Sequence, residues 1–379
     1  MHLPRFSFHF YILAVIGLAS GALALGAATW SAALRSDETR GAVLRSQSAA
    51  APSQRSSMPQ AMPLVAREAA SRFEDSAKAT PGRRFGRFPA LYSPEADDAP
   101  RVQGVAAAPS SGEGESADRD PPVPAIGNNQ ILAFYGKPDS KCMGILGEYS
   151  KEDLASLLEG YARLYDERNG DDGVVPAFYL IYGTCWPGGE IGYLKDSVVR
   201  EYIDFARERG MLVFVDHQIG KYPVADAMKR LLPWLKYSNV HIALDPEWRT
   251  EAPMQELGGV TADEINAAQA EMSDYMNSEG IPGMKILVLH QFQEKMIVGR
   301  ERVRADYEGV LLVHTADGFG PPALKRASYN YNAKAENMPL KGFKLFFKTN
   351  VKGAGYDSPL LEPSEVLALE PRPRLIIYQ

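Results

Sequence analysis

Eight short apolar runs, separated mostly by helical segments, occupy the last part of the chain and restrict its fold more than any other feature. Most are β-rich and apolar throughout, which is typical of buried parallel strands. Strands that alternate with helices predict a parallel sheet, and eight of them over about 250 residues predict a closed (β/α)8 barrel, an α/β fold of the TIM type. The predicted strands are Gln130–Gly136, Val174–Tyr182, Met211–Asp216, Val240–Asp245, Lys285–His290, Gly309–His314, Gly342–Phe347 and Arg374–Tyr378.

Capping signals place helices between these strands. Ser150 is expected to cap one helix, Gly210 to end another, and Thr261 with Glu264 to form a capping box at the start of a third. A doubly wound open sheet is the main alternative, but no Gly-x-Gly-x-x-Gly follows any strand. The chain stops on its last predicted strand, so the eighth helix of the barrel is expected to be missing.

The composition changes along the chain and predicts three segments. Residues 1–34 contain an apolar run, Phe10–Leu34, that is long enough to cross a bilayer, so we expect a membrane anchor or a cleaved signal peptide. Both interpretations predict an extracytoplasmic protein, either secreted or held to the membrane by one N-terminal helix. Residues 35–127 are rich in Ala, Pro, Ser and Arg and predict a disordered linker. The barrel domain is then expected at 128–379.

The charge balance argues against one class of partner. The formal net charge is −6, so the chain has no overall basic field of the kind that binds nucleic acid. No motif indicates a cofactor, and none is expected.

Polar side chains collect at the C-terminal ends of the predicted strands, where TIM barrels place their chemistry. Three of the four histidines in the predicted barrel lie at such ends, and the fourth, His241, lies at the opposite end of its strand. We expect this set to bind substrate; it comprises Tyr135, Tyr182, His217, Gln218, Trp248, His290, Gln291, His314, Asp317 and Tyr378.

Asp245 and Glu247 form the most specific pair in this set of strand ends. Residues two apart on a strand point to the same face, with Cα atoms about 6.6 Å apart. Two carboxylates on one face repel, so one can hold a proton near neutral pH while the other stays charged. Glycoside hydrolysis uses such a pair. Asp216, at the end of the third strand, is expected either to assist the pair or to anchor a loop.

A resemblance to a known family rests on four runs of sequence, HIALDPEW (His241–Trp248), ILAFYG (Ile131–Gly136), MGILG (Met143–Gly147) and FVDHQ (Phe214–Gln218). Over about 130–379 the chain resembles uncharacterised exported bacterial proteins, often lipoproteins, that are regarded as glycoside-hydrolase-like barrels. Its Asp-x-Glu is also similar to that of chitinase-type enzymes and barrel lysozymes. The resemblance to chitinase-type enzymes implies that Glu247 is the acid and that Asp245 assists a substrate N-acetyl group. The longer chitinase-type pattern has Asp where this chain has Val240 and Ala243.

The favoured hypothesis is therefore an exported hydrolase of cell-wall or extracellular polysaccharide, including peptidoglycan, and two other functions remain open. His217, His290 and His314 with a neighbouring carboxylate would suit a metal-dependent hydrolase. No His-x-His lies on the first strand, however, and no His-Glu-x-x-His lies on a helix. The other alternative is a barrel that binds glycan or a partner protein without catalysis.

The two cysteines lie after neighbouring predicted strands. Cys142 follows the first strand and Cys185 follows the second, so the fold brings their loops to the same face of the barrel. In an oxidising compartment the two thiols are candidates for a disulfide, with two free thiols as the alternative.

Overall fold

The predicted apolar runs form eight parallel strands that close into a barrel in the computed structural model, which describes residues 126–351 and 353–379. The first strand, β1 (Asn129–Gly136), pairs with both β2 (Gly173–Cys185) and β11 (Leu375–Tyr378), which closes the sheet. The predicted (β/α)8 fold and all eight strands are confirmed, with ends that differ by three residues or fewer. The barrel strands are β1 (Asn129–Gly136), β2 (Gly173–Cys185), β4 (Leu212–Gln218), β5 (Val240–Asp245), β7 (Lys285–Gln291), β9 (Val310–Ala316), β10 (Leu340–Leu345) and β11 (Leu375–Tyr378).

Three short strands lie outside the barrel. Strand β3 (Ile191–Tyr193) runs antiparallel to the end of β2 and forms a hairpin with it. Strands β6 (Val260–Thr261) and β8 (Ile297–Val298) pair with each other in parallel. The hairpin therefore extends β2 beyond the point where the barrel ends.

Helices cover the barrel between its strands, and the expected caps are present. The Ser150 side chain accepts a hydrogen bond from the Asp153 backbone N–H, and Thr261 and Glu264 form the capping box. Gly210 has φ +67°, a left-handed conformation that suits glycine, just beyond the second helix. The helices are α1 (Lys151–Asp166), α2 (Asp196–Arg207), α3 (Val224–Leu231), α4 (Ala262–Ser278), α5 (Pro322–Ala333) and α6 (Pro363–Leu367).

Alternation along the strands divides the buried apolar side chains into two layers. On β4, Leu212 and Phe214 belong to the cluster inside the barrel, whereas Val213 and Val215 belong to the cluster between the barrel and the helices. The same rule holds on the other strands. Whether a polar residue at a strand end faces the inside of the barrel therefore depends on its place in this alternation.

Three lysines are almost wholly buried and hydrogen-bond backbone carbonyls. Lys285, the first residue of β7, donates to three carbonyls of residues 237–240, and Lys341, near the start of β10, donates to two carbonyls near the end of α5. Lys325, on α5, donates to carbonyls at the opposite, C-terminal end of the barrel. Burial lowers the pKa of each of these lysines to about 8.

The predicted N-terminal segments fall outside the part of the chain that the structure describes. This holds for the apolar segment 1–34 and for all but the last two residues of the predicted linker 35–127. Within 126–351 and 353–379, no helix has the length and apolar character needed to cross a membrane.

The two cysteines are free thiols in the structure, which matches the alternative to the candidate disulfide. Cys142 Sγ lies 3.3 Å from the Ser140 hydroxyl, and Cys185 Sγ donates to the Trp186 carbonyl at 3.5 Å. Each sulfur thus has its own polar neighbour. Burial raises the pKa of the Cys185 thiol to about 12, which keeps it protonated.

Candidate functional site

Seven polar side chains from seven different elements converge inside the C-terminal end of the barrel. All are buried, at 0–7% exposure. Because successive strands deliver them to one mouth, the arrangement matches the place where TIM barrels carry out chemistry. The set comprises Tyr135 on β1, Tyr179 on β2, Asp216 on β4, Asp245 on β5, His290 on β7, Asp317 just after β9 and Lys344 on β10.

The carboxyl pair has a different local geometry from the one expected. Strand β5 ends at Asp245, and Pro246–Trp248 forms a single turn of 3-10 helix, so Glu247 is not on the strand. Pro246 has no backbone N–H to continue the ladder, which explains why the strand stops there. Asp245 Oδ1 accepts a hydrogen bond from the Glu247 backbone N–H at 3.3 Å and caps the turn.

The two carboxyl groups nevertheless influence each other's protonation. Burial, followed by the charge of Asp245, raises the pKa of Glu247 to about 8. Burial also raises the pKa of Asp245, to about 6, where the positive charge of His290 opposes the rise and the negative charge of Asp216 adds to it. The pKa of Glu247 is therefore raised further than that of Asp245, an order in which one carboxyl group can hold a proton while the other is ionised.

Asp216 lies beside this pair and is held by Tyr135. The Tyr135 hydroxyl donates to Asp216 Oδ2 at 2.8 Å. Burial raises the pKa of Asp216, while the positive charge of His290 opposes the rise. The other carboxylate oxygen, Oδ1, is buried and has no hydrogen-bond partner within the described residues. It is thus free to accept a hydrogen bond from a ligand that enters the barrel mouth.

A second network holds two positive charges around one carboxylate. Asp317 accepts from His290 Nδ1 at 2.9 Å and lies 3.4 Å from the Lys344 ammonium. Burial alone would lower the pKa of His290, but the charge and hydrogen bond of Asp317 raise it above its ordinary value. The Tyr179 hydroxyl forms a hydrogen bond with His290 Nε2 at 2.7 Å, so both ring nitrogens have a partner. Lys344 lies 3.7 Å above the Tyr135 ring and links this network to the carboxylates.

Half of the predicted substrate-binding residues lie on the outer side of the strands, away from the side chains that converge inside the barrel mouth. His314 Nε2 is 2.8 Å from Gln291 Oε1, between the barrel and α5, and the Tyr378 hydroxyl is 2.7 Å from that of Tyr165 on α1. His314 and Tyr378 each lie next to an inward-facing residue of their strand and therefore point to the opposite side. The outward-facing residues are Tyr182, His217, Gln291, His314 and Tyr378.

The other predicted residues are at or near the mouth. Tyr135, His290 and Asp317 face the inside, as described above. Gln218 accepts a hydrogen bond from the Cys185 backbone N–H at 2.9 Å and so ties the ends of β4 and β2. Trp248 is half-buried on the turn that carries Glu247.

Two inward residues, Tyr179 and Lys344, were missed from the sequence. The sequence search used only residues at or beyond the end of each strand. Tyr179 and Lys344 both lie before the ends of their strands. Lys344 had a signal, because it is a charged residue two positions after Gly342 inside an otherwise apolar run. Tyr179 had none, because tyrosine is common in apolar strands.

The ligand set suggested for a metal-dependent hydrolase does not assemble. His217 and His314 face the outer layer, and only His290 of the three faces the inside of the barrel. Across the residues that the structure describes, no group of three or more His, Cys, Asp or Glu is placed to hold a metal ion.

Comparison with known proteins gives only distant similarities. No family model matches the chain, and no curated protein matches it. It is similar to a chitinase of Chromobacterium violaceum ATCC 12472 (12% identity, TM-score 0.34, 57% of this chain and 68% of that one). It is also similar to the GH18 chitinase ChiB of Flavobacterium johnsoniae (8%, 0.38, 66% and 87%). The third is a GH138 enzyme targeting pectin rhamnogalacturonan II (12%, 0.35, 66% and 34%). These neighbours are glycoside hydrolases, but TM-scores below 0.5 are too low to support a function.

Proposed function

We propose that this protein is a glycoside hydrolase in which Glu247 is the general acid. The observation that carries the proposal is the placement of Asp245 and Glu247 together at the mouth of the barrel, where burial raises the pKa of both and the charge of Asp245 raises that of Glu247 further. Cleavage of a glycosidic bond needs a proton for the leaving oxygen and a negative charge near the oxocarbenium-like centre. This pair of carboxyl groups would supply both.

The neighbouring residues suit the same reaction. Protonated Glu247 donates to the glycosidic oxygen, and ionised Asp245 stabilises the positive charge that develops on the sugar. Asp216, held by Tyr135, keeps a free carboxylate oxygen for a substrate hydroxyl or amide N–H. His290 and Lys344 oppose the rise in the pKa of Asp245, which favours its ionised form.

The proposal also covers the setting of the enzyme. The apolar segment 1–34 would export the chain or anchor it to a membrane, and residues 35–127 would hold the barrel away from that membrane. The substrate would then be a cell-wall or extracellular polysaccharide. The same proposal includes membership of the exported glycoside-hydrolase-like family that the sequence resembles.

Glu247→Gln in the full-length protein tests the role of the acid. It should lower kcat/KM by about 100-fold or more on any glycan that the wild type cleaves, because the leaving oxygen loses its proton donor. Glu251→Gln is the matched control, since Glu251 is an exposed carboxylate four residues further on. A panel of chitin oligosaccharides, pectin fragments and peptidoglycan, with product release measured in the presence of a chelator, provides the assay.

The outcomes of this assay separate the possible functions. Glu247→Gln with unchanged activity would remove Glu247 as the acid. Activity that disappears with the chelator would favour a metal-dependent hydrolase. A wild-type protein that binds glycan but releases no product would favour a non-catalytic binding barrel.

A further inference from the structure

A second concave site lies on the outer side of the same strand ends. A cavity of about 380 Å³ separates the β2–β3 hairpin from the end of β4 and from α3. Its walls carry both aromatic and charged side chains, including Glu190, Tyr193, His217, Tyr222, Asp226 and Arg230.

The cavity is adjacent to the barrel mouth because the two sites share β4. Asp216 and Gln218 face the inside of the barrel, whereas His217 lies in the cavity wall. The hydrogen bond from the Cys185 N–H to Gln218 fixes the base of the hairpin against this strand. One strand therefore separates the candidate catalytic carboxylates from the cavity.

Exposed aromatic rings concentrate at this cavity. Tyr193 and Tyr222 are 39% and 37% exposed, and Tyr356 is the only other tyrosine in the described residues that is comparably exposed. Sugar rings stack their C–H faces on flat aromatic surfaces of this kind. The Tyr193 hydroxyl lies 3.3 Å from His217 Nε2, which fixes the orientation of its ring.

The cavity has one positive charge without a counter-ion. Lys229 pairs with Asp226 at 2.9 Å, and Glu190 pairs with Lys221 at 2.9 Å. The Arg230 guanidinium lies over the Tyr193 ring, 4.9 Å from its centre. No carboxylate of the described residues lies within 4.0 Å of Arg230. His217 adds no charge, because burial lowers its pKa to about 4.

We propose that this cavity binds a carboxylated sugar unit of the glycan that is cut in the barrel, so that the substrate is an acidic polysaccharide. Tyr222 contacts a face of the sugar, and Arg230, which lies over the Tyr193 ring, binds its carboxylate through a charge-assisted hydrogen bond. This inference rests on the proposed glycoside-hydrolase function.

Calorimetric titration of the full-length Glu247→Gln protein tests the inference without turnover. The probes are hexagalacturonate and its fully methyl-esterified form, which has the same rings but no charge. The acid is expected to bind at least about 10-fold more tightly than the ester, since only the acid can pair with Arg230. Adding Arg230→Gln should weaken binding of the acid about 10-fold and leave the ester unchanged.

Two further variants separate charge from stacking. Arg304→Gln is the matched control, because Arg304 lies 4.8 Å above the Tyr307 ring but outside the cavity and pairs with Asp306. It should not change binding. Tyr222→Ala removes an exposed ring and should weaken binding of the acid and the ester by similar factors.

Equal binding of acid and ester, no binding of either, or no effect of Arg230→Gln would overturn the inference. The fate of the proposed function is decided separately. Hydrolysis that depends on Glu247 but not on Arg230 would support the glycoside-hydrolase function and refute sugar binding in the cavity. Binding that depends on Arg230 in a protein that cleaves no glycan would refute the glycoside-hydrolase function. It would still support an acidic glycan as the ligand of the cavity.

Discussion

Asp317→Asn tests whether the buried charges at the barrel mouth depend on one carboxylate. Asp317 lies 2.9 Å from His290 Nδ1 and 3.4 Å from the Lys344 ammonium, and all three side chains are nearly inaccessible. At an effective dielectric constant of about 20, Coulomb's law gives each attraction about 5 to 6 kcal/mol. The cost of taking the carboxylate out of water offsets much of this.

The expected result is a loss of about 3 to 5 kcal/mol in the free energy of unfolding at pH 7, as when one partner of a buried pair is removed. The folded state lowers the pKa of Asp317, so this stabilisation is present above its unfolded pKa of about 4. The difference between variant and wild type should therefore shrink as the pH falls below about 4. The pKa of His290 should also fall. Burial lowers this pKa, and the charge of Asp317 is the strongest influence that raises it.

Urea unfolding measures the stability, and NMR of the histidine ring protons measures the pKa. Asp306→Asn is the control, because Asp306 pairs with Arg304 at the same 2.9 Å separation but both side chains are exposed. It should leave the unfolding midpoint unchanged within error. A loss below about 1 kcal/mol for Asp317→Asn, or an unmoved His290 pKa, would refute the argument that burial makes this contact strong.

Three other predictions follow from the structure. The pH profile of kcat/KM should rise through about 6 as Asp245 ionises and fall through about 8 as Glu247 loses its proton; a profile still rising at pH 9 would contradict their roles. Tyr378→Phe should reduce the free energy of unfolding by about 1 kcal/mol, because the hydrogen bond to Tyr165 is lost. It should leave kcat/KM unchanged, because the Tyr378 ring faces the outer layer; a large loss of activity would show that Tyr378 belongs to the catalytic site. Thr261→Ala should cost about 1 kcal/mol in urea unfolding as its helix loses the capping bond, and an unchanged midpoint would show that the cap contributes nothing.

The fold was accessible from the sequence because its signals are local. A strand buried on both faces is mostly apolar, and the run Val240–Asp245 was delimited correctly on that basis. The second strand was predicted too short, since it runs on to Cys185 by pairing with β3. That extension depends on a hairpin partner and has no apolar signal of its own.

The site was only partly accessible because it depends on which face of a strand each residue occupies. His314 and Thr315 are neighbours, yet only Thr315 faces the inside of the barrel. A register shift between Ile181 and Gly183 further disturbs the alternation at the end of β2. A position at the end of a strand therefore indicates that a residue is near the site. Whether the side chain belongs to the site depends on whether it faces the inside or the outside of the barrel.

The three buried lysines that hydrogen-bond backbone carbonyls can report which end of the barrel opens first. Lys285 and Lys341 lie at the N-terminal end of the barrel and Lys325 at the C-terminal end, and none presents its amine to solvent. An acylating reagent can modify these amines only after the surrounding carbonyls have released them. Pulsed labelling in rising urea, with peptide mass analysis, would thus show which end of the barrel separates first from its loops.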